Sequence, residues 1–433
     1  MHSSLGSTQW SLTATLLVGA VASPVIGRLG DGRHRKLVIL LCLVSVTLGG
    51  ALAGLAGNLP LLVAGRAMQG MGLALMSLTM ASARDHLPAR ESSRVIAMLS
   101  VVGAVGVGLG YPITGLIAER FDISAAFWFG AAVSGMALAL SALVIPSSLR
   151  VDPDASVDVK GAVAIGAGVL CLLIALEKGA TWGWGSSATV ALFAAAAALI
   201  AVWTRHELAT TDPLVDLRLV RHRAVLTADV AGLMLGVAMY MSLSIMTQYV
   251  QLPKHLGFGF GASVFVAGLS LLPLSACSFL ASASLPRFQR RVGSRPVIPA
   301  GSALVGIAAL FFALTGDRLW QAFVTMGVIG LGLGFTFAAM PGLIVGAVPA
   351  TETGSAMGFY QVTRYIGFSV GSGLSVTLLR AFGHHGVPTA GAYRATFLAA
   401  ALLCGATGAI TWLLPGRGRR RASAGGDLDL GDL

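Results

Sequence analysis

Charge is scarce in this chain. Of 433 residues, 11% are Asp, Glu, Lys or Arg, while 55% are hydrophobic. A soluble chain of this length would divide into about three domains, each needing a polar surface. A mean hydropathy of +0.82 leaves too little polar side chain to cover them. Cysteine is also rare. The four residues Cys42, Cys171, Cys277 and Cys404 fall singly in four apolar segments, which excludes a disulfide framework and any spaced metal-ligand set. The eight histidines lie in loops or near the ends of apolar runs, and the adjacent pair His384 and His385 alone does not make a metal site. Only 18 residues are acidic, nearly all in loops or at segment ends. An enzyme embedded in a membrane needs acid, base or metal ligands clustered at one depth, and no such cluster is visible. No catalytic residue, metal or cofactor is expected. The glycine run GVIGLGLGF at 327–335 is no phosphate loop, because it lacks a lysine and lies inside an apolar segment.

Long apolar runs are what the chain has in abundance. About 20 helical residues cross a hydrocarbon core of roughly 30 Å. Thirteen such runs are expected, near 10–28, 37–57, 60–83, 95–118, 125–146, 160–177, 187–205, 225–250, 260–284, 297–315, 320–346, 355–380 and 392–414. The chain therefore reads as an all-α polytopic membrane protein. Many of its 56 glycines sit within these runs, where small residues let helices approach closely. Pro112, Pro273 and Pro341 interrupt runs, and neighbouring helices must satisfy the backbone groups they free.

The net charge of +11 does not point to nucleic acid. Lys and Arg alternate between loops. One set holds 27–37, 84–94, 147–160, 204–223, 285–296 and the tail from 416, with 21 basic residues; the other set holds six. The positive-inside rule places the rich set in the cytoplasm. The C-terminus is then inside and residue 1 outside, in a cell membrane. MHSSLGSTQ carries no basic region ahead of an apolar core and does not read as a signal peptide.

Within this frame the stretch GRLGDGRHRK at 27–36 stands out, with five charges in ten residues. It resembles the loop signature of the major facilitator superfamily, G-x-L-x-D-r-x-G-R-[RK], through Gly27, Leu29, Asp31, Arg35 and Lys36. Arg66, Gln69 and Gly70 match that family's R-x-x-Q-G pattern. The segment GAVGVGLGYPITG is similar to the fifth-helix signature of drug:proton antiporters, through Gly106, Gly110, Pro112 and Gly115, with Tyr111 where a glycine is usual. WGWG at 182–185 and PLVDLRLVRHR at 213–223 are similar to the fourteen-helix branch, in which two extra helices separate two six-helix halves. The resemblance implies an N-terminal bundle at 1–146, a linker with two helices at 147–223, a six-helix bundle at 224–415 and a disordered cytoplasmic tail at 416–433. In the family the charged loop follows two helices; here it follows one, so an N-terminally shortened chain is expected.

Particular side chains follow from this reading. Arg66 lies inside a span, where charge is costly and faces the bundle interior or an aqueous cavity; it serves proton coupling or substrate contact, or is held structurally by backbone carbonyls. Asp229 begins a helical face that continues through Tyr240, Ser244 and Gln248. It is either a proton carrier or a solvated acid near the cytoplasmic end. Gln69, Tyr240, Ser244, Gln248, Gln361 and Arg364 are the candidate substrate-cavity residues. Gly27, Asp31, Arg35 and Lys36 are the candidate cytoplasmic gating residues, and Gly106, Gly110, Pro112 and Gly115 a helix-packing set. Glu177 beside Lys178 reads as a rim pair. The resemblance implies proton-coupled efflux of small amphipathic organic compounds by a monomer that alternates access across the bilayer. Against this stand a metabolite permease of the same fold, a membrane enzyme and a non-transporting sensor.

Overall fold

The computed structural model describes residues 5–31, 34–146, 158–210, 213–220, 222–349, 352–383 and 388–413. The tail at 416–433 and most of the linker loop before residue 158 lie outside the described residues, as does the side chain of Asp31.

The secondary structure among the described residues is helical throughout. In order the helices are α1 (Leu5–Asp31), α2 (Arg35–Gly54), α3 (Leu59–Gly70), α4 (Leu75–His86), α5 (Ala89–Arg120), α6 (Ile123–Val144), α7 (Val159–Trp182), α8 (Ser187–Ala209), α9 (Leu217–Val220), α10 (Arg223–Gln251), α11 (Val264–Leu269), α12 (Leu272–Val292), α13 (Val297–Thr315), α14 (Leu319–Val345), α15 (Thr353–Ala381) and α16 (Ala390–Leu413). Short polar residues start several of them. The Asn58 side chain accepts from Leu61 N at 2.9 Å, Asp122 from Ala125 N at 2.6 Å and Asp158 from Gly161 N at 3.0 Å. Glycines at positive φ follow α7 and α12, Gly183 at 94° and Gly293 at 86°.

Each of the thirteen expected spans corresponds to helical structure, but two are broken. The run near 60–83 is α3 and α4 joined by a 3-10 turn, Met71–Ala74. The run near 260–284 is α11 and α12, with Pro273 in the first turn of α12, where its missing N–H leaves no bond unmade. Pro112 and Pro341, by contrast, lie inside continuous helices. Among the described residues, eleven helical stretches are long and apolar enough to cross a membrane. Many large apolar side chains remain exposed, among them Leu143, Leu402 and Leu413, as lipid-facing surface requires.

Two halves repeat one packing scheme. α2 packs on α3 and α6 as α13 packs on α14 and α16, while α1 packs on α3 as α12 does on α14. The halves then meet reciprocally: α1 crosses to α15, and α12 crosses to α5. α7 and α8 pack on each other, and α7 also packs on α1 and α15. α10 seats on α15, α16 and α14. No described helix of the N-terminal half takes the equivalent place beside α5. The close approaches use glycine, since nothing larger fits. A methyl group on Gly27 would stand 2.5 Å from the Gly354 carbonyl oxygen, and one on Gly358 would stand 2.7 Å from that of Ser23. Along α5 the tight contact is made by Gly108, against Ser275 and Leu271 of the α12 region, rather than by Gly106 and Gly110, which face open space. Pro112 meets Gly268 of α11, where a methyl would lie 3.1 Å from the proline nitrogen, and Gly115 stands near Phe265.

Candidate functional site

The middle of the molecule holds a polar and aromatic cluster drawn from both halves. On α3, Arg66 Nη1 donates to Gln69 Oε1 at 2.8 Å, and Thr15 of α1 donates to the Arg66 carbonyl at 3.0 Å. Tyr111 of α5 is within electrostatic reach of both Arg66 and Tyr240 of α10, and Glu177 of α7 also reaches Tyr240. From Tyr240 an aromatic ladder runs along α15, to Phe368 at 6.1 Å between ring centroids and on to Tyr365 at 5.9 Å. Gln361 Nε2 donates to the Tyr365 hydroxyl at 3.3 Å, which in turn donates to the Leu73 carbonyl at 3.2 Å. One tyrosine thus joins the break in the N-terminal half to α15.

Deeper on α15, the Arg364 guanidinium lies over Phe337, Tyr360 and Phe368, with its carbon 5.2, 5.8 and 5.8 Å from the ring centroids. Cation–π contact offsets part of the cost of burying this charge. The Arg364 Nε and the Gln361 Oε1 have no hydrogen-bond partner among the described residues. Asp229 is 5% exposed, and neither carboxylate oxygen has a hydrogen-bond partner among the described residues. It shares electrostatic contact with Tyr360, as Arg364 does. Gly232, three residues on from Asp229, admits the Tyr360 ring, which a methyl there would meet at 2.7 Å. The solvated-acid reading of Asp229 is therefore corrected by burial: its helix is covered by α15 at this level. Ser244 and Gln248 lie further along α10, hydrogen-bonded to each other at 3.4 Å, with Gln248 exposed.

A second cluster closes the end carrying the basic loops. Arg28 is 5% exposed and pairs with Glu352 at 3.3 Å, across from α1 to the residue preceding α15. Arg84 at the end of α4 donates to the Val348 and Pro349 carbonyls at 3.0 and 3.1 Å and to the Thr353 hydroxyl. Buried Arg35 bonds the Gly30 carbonyl and Asp85, which ties the charged loop to its own half. Gly27 lies in the α1–α15 contact, and Lys36 is half-buried.

Of the residues singled out in the sequence, Arg66 and Gln69 are joined directly, as are Ser244 and Gln248. Gln361, Arg364 and Tyr240 stand on one aromatic ladder. The sequence does not mark Tyr360, Tyr365, Arg84, Asp85 or Glu352 as site residues, gives Glu177 only as a rim pair, and notes Tyr111 only as a departure from glycine. Tyr111 carried a signal, as a large polar side chain in a comb of glycines. Arg84 and Glu352 carried none, because an exposed-looking loop charge gives no hint of a partner far away in the sequence.

Two helical halves that repeat one packing scheme, long apolar helices and a polar cluster between the halves define a polytopic helical protein of membrane-spanning class. The Major Facilitator Superfamily model matches residues 1–372 and again 234–428. The chain belongs to that superfamily. An uncharacterized MFS-type transporter of Mycobacterium tuberculosis is 28% identical over 377 residues, 85% of this chain and 54% of its own. The tetracenomycin C resistance and export protein of Streptomyces glaucescens is 28% identical over 388 residues, 88% of this chain and 70% of its own. The chain thus spans about half the length of the first of these relatives. In fold, the human organic anion transporter MFSD10 superposes with a TM-score of 0.64 at 14% identity, covering 94% of this chain and 83% of that one.

Proposed function

We propose that the chain is a secondary active transporter of the cell membrane that exports small amphipathic organic compounds in exchange for protons. The observation that carries this reading is Asp229, a buried carboxylate with no hydrogen-bond donor among the described residues, placed where α10 packs on α15 near Tyr360. The charge state of such a group follows what faces it. A rocking of the two halves that alters the α10–α15 packing would therefore change its proton occupancy and couple the proton to the motion. Arg66, Gln69, Tyr111 and the ladder from Tyr240 to Gln361 form the substrate wall, aromatic enough for an apolar body and polar enough to orient it.

The ties of Arg28 and Arg84 across the halves act as the gate on the side of the basic loops, which the positive-inside rule makes cytoplasmic. The export direction draws support from the relative named for tetracenomycin C resistance and export. The substrate and the proton are the partners required, and a single copy is the working unit.

The test uses everted vesicles with an imposed pH gradient and tetracenomycin C as first substrate, a panel of lipophilic dyes following. Uptake against the substrate gradient should collapse when the proton gradient is dissipated. Asp229→Asn should lose that dependence while keeping downhill exchange. Undiminished proton-driven uptake by the variant would remove Asp229 as carrier, and uptake indifferent to the proton gradient would remove antiport altogether.

A further inference from the structure

At the end of the C-terminal half away from the basic loops, α10, α13, α16 and the turns after α10 and α13 surround a cavity of about 290 Å³. Its floor is aromatic. Tyr249, Phe312, Tyr393 and Phe397 are buried there, with ring centroids 5.4 Å apart for Tyr249 and Phe312, 5.2 Å for Tyr249 and Tyr393, and 4.9 Å for Phe312 and Phe397. The turn after α10 makes a side wall. Gly257, Gly259 and Gly261 have φ of 78°, 84° and 58°, backbone that other residues rarely adopt. This alternation turns both intervening residues inward, so that Phe258 and Phe260 stand 6.2 and 5.4 Å from Tyr249. Hydrogen bonds from Gly261 N to Leu252 O at 2.7 Å and from Ala262 N to Val250 O at 3.0 Å hold the turn in place. Three such glycines cost ordering entropy. What they achieve is an aromatic wall facing a space that the protein's own side chains leave open.

The rim of the same cavity is charged. Lys254, Arg394 and Asp317 all line it and all are exposed. Among the described residues, none of the three is in an ion pair. Two cations against one acid favour an anion. A guanidinium offers a carboxylate two parallel N–H donors. Ring walls at these spacings accept a further ring edge-on or offset.

We propose that this cavity is a ligand site in its own right, separate from the cluster around Asp229 and Tyr360, and that it binds a small aromatic carboxylate, its ring among Tyr249, Phe258 and Tyr393 and its anionic group at Arg394 and Lys254. An amine of the same shape meets two like charges at the rim, and a neutral alcohol forgoes the charge-assisted bonds.

The probe is 4-fluorophenylacetate, with line broadening of its fluorine signal measured by NMR in the presence of the full chain in lipid nanodiscs. The acid should bind at least about tenfold more tightly than 2-(4-fluorophenyl)ethanol, since one charged hydrogen bond is worth roughly that factor. The double variant Lys254→Gln, Arg394→Gln should lose about tenfold or more in affinity, and because both side chains are exposed the fold should persist. Lys160→Gln, which removes an exposed cation outside the cavity, should bind the acid as the parent does. Absence of binding at millimolar acid, equal binding of the alcohol, full affinity in the double variant, or an equal loss of affinity in Lys160→Gln would each overturn the assignment.

Discussion

Replacing Arg84 by Ala should open the end of the protein that carries the basic loops. The side chain reaches from α4 of one half to two carbonyls and a hydroxyl just before and at the start of α15 in the other. A hydrogen bond from a charged donor contributes about 1.5–3 kcal/mol when well buried. Arg84 is half-buried, so each of its bonds is better set at roughly 0.5–1 kcal/mol after discounting for solvent screening. Three bonds together then favour the closed arrangement by about 1.5–3 kcal/mol, a factor of roughly 10–100 in population. The assay is single-molecule energy transfer between fluorophores on unnatural amino acids at positions 37 and 294, one exposed site on each half. In nanodiscs at neutral pH the low-separation state should fall by at least tenfold relative to the separated state in the variant. Arg84→Lys should give an intermediate result, because an ammonium cannot present the guanidinium fork to several acceptors at once. Identical distance distributions for the parent and Arg84→Ala would show that these bonds form without deciding the closed state, and the gate would have to reside elsewhere.

Other substitutions probe the same framework. Gly27→Val should abolish transport and lower the amount of folded protein recovered from membranes, because its side chain meets the Gly354 backbone; Gly405→Val, with open space around it, should behave as the parent in both measurements. Glu207 accepts from Trp203 Nε1 at 2.7 Å and from Leu214 N at 2.9 Å, both buried. Glu207→Ala leaves two buried donors unmet at about 1–3 kcal/mol each, which should release the segment around residues 213–220 to faster hydrogen exchange. Glu207→Gln keeps one acceptor and should show roughly half the effect. Glu352→Gln strips buried Arg28 of its anionic partner and should shift the same energy-transfer distribution as Arg84→Ala, in the same direction and by a smaller amount.

How far the sequence reaches is clearest from individual elements. The spans were legible because an apolar run of fixed length has one answer in a bilayer, and because caps such as Asn58 and Asp122 mark where helices begin. The breaks were less legible. Pro112 and Pro273 look alike in sequence, yet α5 runs through the first while α11 and α12 part just before the second. Beside the first of them the glycine at 268 lets α11 come up against the backbone at Pro112. The site residues divide in the same way. Arg66 and Gln69 share a helix face and could be paired from spacing alone. Tyr365 with Leu73, Arg28 with Glu352 and Arg84 with Val348 join residues hundreds of positions apart, and no periodicity within one helix encodes such a meeting.

The sequence by itself determined the class of protein, the helical spans and the uneven distribution of basic loops, because hydrophobic length and charge placement act segment by segment. It also carried the charged loop at 27–36 and the intramembrane arginines, since a charge in an apolar run is conspicuous without any structure. Only the tertiary structure decided that Asp229 is shut away beneath α15 with no donor among the described residues, that Gly108 rather than Gly106 carries the tight contact of α5, and that two halves are tied at one end through Arg28 and Arg84. Those outcomes depend on which helix lies beside which. That choice is made by packing over the whole bundle, where a few small residues admit a neighbour and the polar groups left inside must find partners or remain without them.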